Sequence, residues 1–273
     1  MAKNFYNKHF ICLAALFILG NGIITPFDLD TDKYNFLSFL ICSVLALIVT
    51  VIAFFIPFNR LTALFFIVLS FYIFGDSFIT FITFIKNNLL QSAPSILIAL
   101  PFILMLIYAA FKAQELIFKF SLICFFVVLG VILLFFLATF KDFNIKNIFI
   151  YQIPKLSNVL KQMLPYFKTV VVPSILLPII AKANYIGKGV NIISVALGCV
   201  LFGVCILNSV LLFGVDFASE LPYPYSAAGS TVTFGNLFTR MDGLLYFVYL
   251  VSSFIKCSVA IIVIKKSRNL FVP

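Results

Sequence analysis

Tryptophan is absent from this chain of 273 residues, and histidine occurs once, as His9. A single imidazole leaves almost no material for a histidine-based metal site or for acid–base catalysis built on histidine. Charge is also scarce. Asp, Glu, Lys and Arg make up 10% of the residues, against about 25% in soluble domains. No polar stretch is long enough to form a soluble domain of useful size. Cysteines are few and unpaired by spacing: Cys12, Cys42, Cys124, Cys199, Cys205 and Cys257 all fall inside apolar runs, and none forms C-x-x-C. They read as small buried hydrophobes rather than redox or metal ligands. Glycine-rich phosphate loops are missing. The nearest approach to a calcium loop, Asp28, Asp30 and Asp32, has Lys33 and Phe39 where such a loop needs glycine and glutamate. It reads as a solvated acidic connection. No enzyme, cofactor or metal is expected.

What the chain does have is apolar length. Hydrophobic residues are 63% of the total, and they gather into runs of about 20, enough to cross a hydrocarbon core of about 30 Å as helices. Short alternating segments, the mark of a membrane barrel, are not seen. The expected fold class is all-α: one integral membrane domain over 1–273, polytopic, with about eight transmembrane helices. The runs lie near 10–27, 36–56, 61–85, 94–111, 120–140, 163–181, 189–215 and 243–264. The first follows Lys3 and Lys8 as a signal peptide would. It lacks a small-x-small cleavage pattern and more runs follow, so it is expected to stay as a span.

The net charge of +10 concerns orientation in a lipid bilayer, and no nucleic acid is expected as a partner. With the N-terminus cytoplasmic, ten lysines and arginines fall on the cytoplasmic side and seven on the other. Most of the ten sit beside span ends, which satisfies the positive-inside rule. Eight spans then return the C-terminus to the cytoplasm. Two outer connections are long, 141–162 and 216–242. In the first, Leu156, Val159, Leu160 and Met163 recur at helical spacing opposite Lys155, Asn158, Lys161 and Gln162, which predicts a short helix in the interface plane.

Two features point inward. Ionisable groups in mid-membrane are costly and mark function by default. Asp76 lies deep in the third run, and Lys168 lies nearer the outer end of the sixth. A lysine stem is long enough to close that difference, so an ion pair between them is possible; the competing reading has Lys168 snorkelling outward. Lys256 reads as snorkelling to the inner interface. The second feature is helix breakers. Gly20, Asn21, Gly22 and Pro26 interrupt the first run, and Pro173 and Pro178 the sixth. An unwound turn survives in lipid only where protein, water or ligand satisfies its backbone, and paired interruptions near the midplane are the sequence pointer to a transporter-type ligand site.

From Tyr223 the chain reads YPYSAAGSTVTFGNLFTRMDGLLYFVYLVSSFIKCS. Its Tyr223-Pro224 pair, Gly235, Arg240, Asp242 and the Phe254–Lys256 triplet resemble the B-subunit permeases of spore germinant receptors, the GerAB type. These belong to the amino acid–polyamine–organocation superfamily. LGNGIITP in the first run, NFLSFL at Asn35–Leu40, LLQSAP at Leu89–Pro94 and KAQELIFK with Glu115 and Lys119 are similar to further family patterns. The sequence also departs from the family. Thr169 and Val171 stand where its sixth span has Gly-x-Glu, Ala227 replaces a glutamate, and the family has about ten spans.

The resemblance implies two inverted five-helix repeats with discontinuous helices 1 and 6 around the ligand, the second repeat lacking its last two spans. It implies a membrane subunit that senses a small nutrient, with an amino acid expected, and triggers spore germination. Its partners would be a larger A subunit and a lipoprotein C subunit, in the spore inner membrane or the cell membrane. The ligand would meet backbone at Gly20, Asn21 and Gly22 and the sixth span near Thr169, with Asp76 pairing its amine or Lys168. The rival readings are an amino-acid or cation-coupled secondary transporter and a shortened structural subunit that binds nothing.

Overall fold

A computed structural model describes residues 2–20, 35–111, 114–148, 156–221, 223–231 and 242–271. Asn21, Gly22, Pro26, the Asp28–Asp32 acids, Gly235 and Arg240 lie outside these residues. Among the described residues there is no strand, and the helices run in order: α1 (Ala2–Leu19), α2 (Asn35–Phe55), α3 (Arg60–Asn88), α4 (Ser95–Phe111), α5 (Gln114–Thr139), α6 (Leu156–Tyr166), α7 (Val172–Ser174), α8 (Leu177–Ala183), α9 (Lys188–Glu220), α10 (Pro224–Thr231) and α11 (Asp242–Arg268). Six segments are long and apolar enough to cross a membrane, and the apolar helices Tyr6–Leu19 and Ser95–Phe111 accompany them. The chain is an all-α, multi-pass membrane protein.

Burial follows helical spacing but inverts the pattern of a soluble helix. On α2 the inner stripe is Phe39, Cys42, Ala46, Thr50 and Ala53, while Val44, Ile48, Ile52 and Phe55 face out. On α5 the inner stripe runs Ser121, Cys124, Val128, Ile132, Phe135 and Thr139, with Ile123, Phe126 and Leu137 outside. Lipid solvates large aliphatic side chains as well as a core does, so the small and weakly polar residues go where backbones approach. Buried Thr50, Ser121 and Thr139 on these helices bond back to their own helix's carbonyls, as Thr50 does to Ala46 at 2.7 Å.

The helices are unequally enclosed. In α11, 78% of the membrane window is buried, against 28% in α3. Helix α11 packs on α3, α1, α5, α4 and α10, and α9 packs on α1 and α2. Aromatic rings lock α11 to α3, where Phe84 and Phe81 meet Tyr249 with ring centroids 4.7 and 5.9 Å apart, and Phe81 also stacks on Phe102 of α4 at 4.1 Å.

The predicted helix after Pro154 is present as α6, with Leu156 and Leu160 exposed and Ser38 of α2 donating to the Val159 carbonyl and Gln162 Oε1. Helix α6 continues directly into the rest of the sixth segment. The interruption begins earlier than the prolines. A π-helical turn, Phe167–Val171, follows α6, and the helix then stops again at Ile175 and Leu176. Pro173 and Pro178 each lie in the first turn of a short helix, and because helical residues precede Pro173, its missing N–H takes from the Thr169 carbonyl the donor four residues on.

Helix α9 bends at Gly214, whose φ of 74° and ψ of 163° are essentially reserved to glycine. The carbonyl of Leu211, before the bend, accepts the Asn144 N–H and the Asn147 side-chain amide, both at 3.1 Å. Gly214→Ala is expected to lower stability by about 1–3 kcal/mol. Gly130→Ala in α5, where an added Cβ meets nothing, should be neutral or stabilising by up to about 1 kcal/mol. Thermal unfolding of the two detergent-purified variants checks the contrast.

Candidate functional site

Four elements converge on one polar region: the end of α1, the middle of α3, the π turn after α6, and the middle of α11. Helix α1 runs to Leu19, and the carbonyl of Gly20, the last described residue of that stretch, faces α11. Ser252 Oγ lies 3.1 Å from that oxygen and 2.8 Å from its own helix carbonyl at Val248, so one hydroxyl proton is shared between them. One turn further along α11, Lys256 Nζ donates to the Thr169 carbonyl at 3.4 Å. That carbonyl belongs to the π turn, where the register shift from the α-helical pattern loosens the ladder. Two successive turns of α11 thus each serve one carbonyl of a neighbouring segment.

Lys256 is only 1% exposed. The expectation that it snorkels is therefore corrected. Helix α11 is enclosed on all sides at this level, and the stem runs sideways into the gap between α1 and the π turn. The fit against α1 is close: a Cβ at Gly20 would stand 2.6 Å from Lys256 Cδ. Glycine at position 20 is the space in which the lysine lies. Among the described residues no carboxylate is within 4 Å of Lys256, and its nearest charged neighbours are Asp76 and Lys168. An ammonium has three donors, and one of them is engaged.

Asp76 and Lys168 do form the ion pair, at 2.5 Å. Lys168 sits in the π turn and its side chain is 44% exposed, against 19% for Asp76. Tyr72, one turn from Asp76 on α3, lies beneath the ammonium with its ring centroid 5.8 Å from Nζ. Cation–π contact of this kind adds about 0.5–1 kcal/mol at partly exposed sites. The arrangement has one carboxylate and two lysines, so it can receive a further negative group. The wall on the α3 side is aromatic, built by Phe81, Phe84 and Tyr249.

Of the sequence candidates, the structure brings Gly20, Asp76, Lys168 and Thr169 into this region, and Asn21 and Gly22 lie outside the described residues. Thr169 contributes through its backbone only. Its hydroxyl donates back to Pro165 at 3.0 Å, so the side chain is committed to its own helix. Lys256 and Ser252 are the residues that sequence reasoning missed. Their signal was available as Tyr249, Ser252, Ser253 and Lys256, a polar stripe at i, i+3, i+4 and i+7 on an otherwise apolar helix.

The contact between Gly20 and Lys256 makes a quantitative test. Gly20→Ala should destabilise the protein, and Lys256→Ala in the same chain should recover part of the loss by vacating the gap. A double-mutant cycle read by thermal unfolding is expected to give a coupling of about 0.5–3 kcal/mol. Additive effects would mean that the lysine stem does not occupy the gap.

Comparison with known families places a match on this architecture: the model of a family described as spore germination protein, a permease family, covers residues 56–271. No curated protein matches the chain.

Proposed function

The chain belongs to the spore germination protein family, and on that premise we propose that it is the sensing membrane subunit of a nutrient germinant receptor, with an amino acid as ligand. The observation that carries this reading is Lys256: a buried lysine with one carbonyl partner and no carboxylate within 4 Å among the described residues, set between Gly20 and the π turn. Isolated charge in such a place is unfavourable, and a carboxylate bringing its own oxygen acceptors relieves it.

The ligand's carboxylate takes the open donors of Lys256, beside the backbone of Gly20, and the expected further contacts to Asn21 and Gly22 lie outside the described residues. Its ammonium competes with Lys168 for Asp76, near the Thr169 carbonyl. Lys168 is the displaceable member of the pair, since its side chain is partly exposed and long enough to reach the interface. Losing that pair loosens α3 from the π turn, so free and occupied states differ in packing. A ligand that binds these two states unequally shifts their populations, which is the signal. A larger A subunit and a lipoprotein C subunit would read it in the spore inner membrane or cell membrane, with both termini of this chain cytoplasmic.

Titration of the purified protein with a panel of amino acids, followed by intrinsic tyrosine fluorescence and thermal shift, tests the reading. At least one amino acid should stabilise the protein. Lys256→Met and Asp76→Asn should each weaken its binding at least about tenfold, the scale of a lost charge-assisted hydrogen bond. Unchanged affinity in both variants sinks the site, and stabilisation by no amino acid favours a structural subunit. Interrupted helices also suit a secondary transporter. Accumulation of labelled amino acid in proteoliposomes would favour transport, and binding without flux favours sensing.

A further inference from the structure

A second polar recess lies at another part of the bundle, where the end of α4, the start of α5 and the last turns of α11 meet. We propose that it seats the phosphate of an anionic phospholipid headgroup. The recess is an open pocket of 210 Å³, with Ala110, Gln114, Ile117, Ser258, Lys265 and Lys266 among its lining residues.

The donors around it outnumber the acceptors. Ser258 is 1% exposed, and its hydroxyl has no hydrogen-bond partner among the described residues. The Gln114 side-chain nitrogen is likewise buried without a partner. Buried polar groups without partners are rare, and each calls for an explanation. Lys265 and Lys266 stand in the last turn of α11, and among the described residues no carboxylate lies within 4 Å of either. The nearby acid, Glu115, is not in the lining and accepts the Tyr6 hydroxyl at 2.8 Å. The N-terminal turn of α5 favours an anion, and the two lysines offset the opposing carbonyl end of α11.

A hydroxyl, an amide and two ammonium groups converging on one recess match an acceptor-only group with several oxygens. Phosphate supplies these both as free phosphate and as a lipid phosphodiester. The lipid is the source that the position favours. Apolar walls (Ala110, Ile117) adjoin a basic rim at the ends of membrane helices, which is where headgroups sit, and basic pockets between helices there bind anionic lipid.

The test uses the purified full-length chain in neutral detergent, with thermal unfolding as the readout. Short-chain phosphatidylglycerol is compared with phosphatidylcholine of equal chain length and with sodium phosphate at matched ionic strength. Phosphatidylglycerol should raise the midpoint by a few degrees and phosphatidylcholine should not. The Lys265→Gln/Lys266→Gln double variant should lose the shift. Ala110→Leu, which fills the recess and leaves both lysines in place, should lose it as well. An equal shift with phosphatidylcholine, or a shift kept in both variants, overturns the site. A shift with sodium phosphate as large as that with phosphatidylglycerol overturns the lipid as its source.

Discussion

Peptide carbonyls inside a bilayer have no water to fall back on, and this protein is organised around that constraint. The sixth segment loosens into a π turn at Thr169, and the Gly20 carbonyl lies against α11. A bare carbonyl at either place would be costly in lipid. Ser252 and Lys256, one turn apart on α11, answer one carbonyl each. The heavy burial of α11 follows, because a helix that serves carbonyls on two neighbours must lie between them. The small and weakly polar inner stripes of α2 and α5 follow in turn, since backbones have to approach that axis closely.

The same arrangement links architecture to charge. A lysine is an expensive way to satisfy one carbonyl, and serine alone suffices at Gly20. What the lysine adds is unspent donor capacity beside an acid, Asp76, that is already paired with Lys168. One carboxylate, paired with Lys168, beside a second lysine is an unbalanced set. The proposed recognition of a small molecule with groups of both signs rests on this imbalance rather than on the shape of the helices. An evenly paired cluster at the same depth would be a structural lock.

Much of this was legible before any coordinates, for physical reasons that can be traced. The membrane class and helical fold follow from apolar run length, which needs no tertiary information. Asp76 stands out because a short acidic side chain deep in an apolar run cannot reach water. Its pairing with Lys168 was one of two open readings, since a lysine stem long enough to close the difference in depth is also long enough to snorkel outward. Lys256 was misread because run length and charge give depth but not direction. Whether a mid-helix lysine reaches the interface depends on what encloses it, and α11 is enclosed by helices from distant parts of the chain. The π turn was hidden for a similar reason. Pro173 and Pro178 mark where helices restart, while the slip of register at Phe167–Val171 leaves no proline or glycine behind. At Thr169 the side chain is committed to its own helix, and the carbonyl is the group that meets Lys256.

The order of the chain gives the position of α11 a consequence for biogenesis. Ribosomes deliver helices to the membrane from the N-terminus onward, so the segments that surround α11 are inserted while their centre is still missing. Until it arrives, the Gly20 carbonyl lacks Ser252 and the Thr169 carbonyl lacks Lys256. On that order of delivery, these two contacts are made only once the last described helix has entered the bundle.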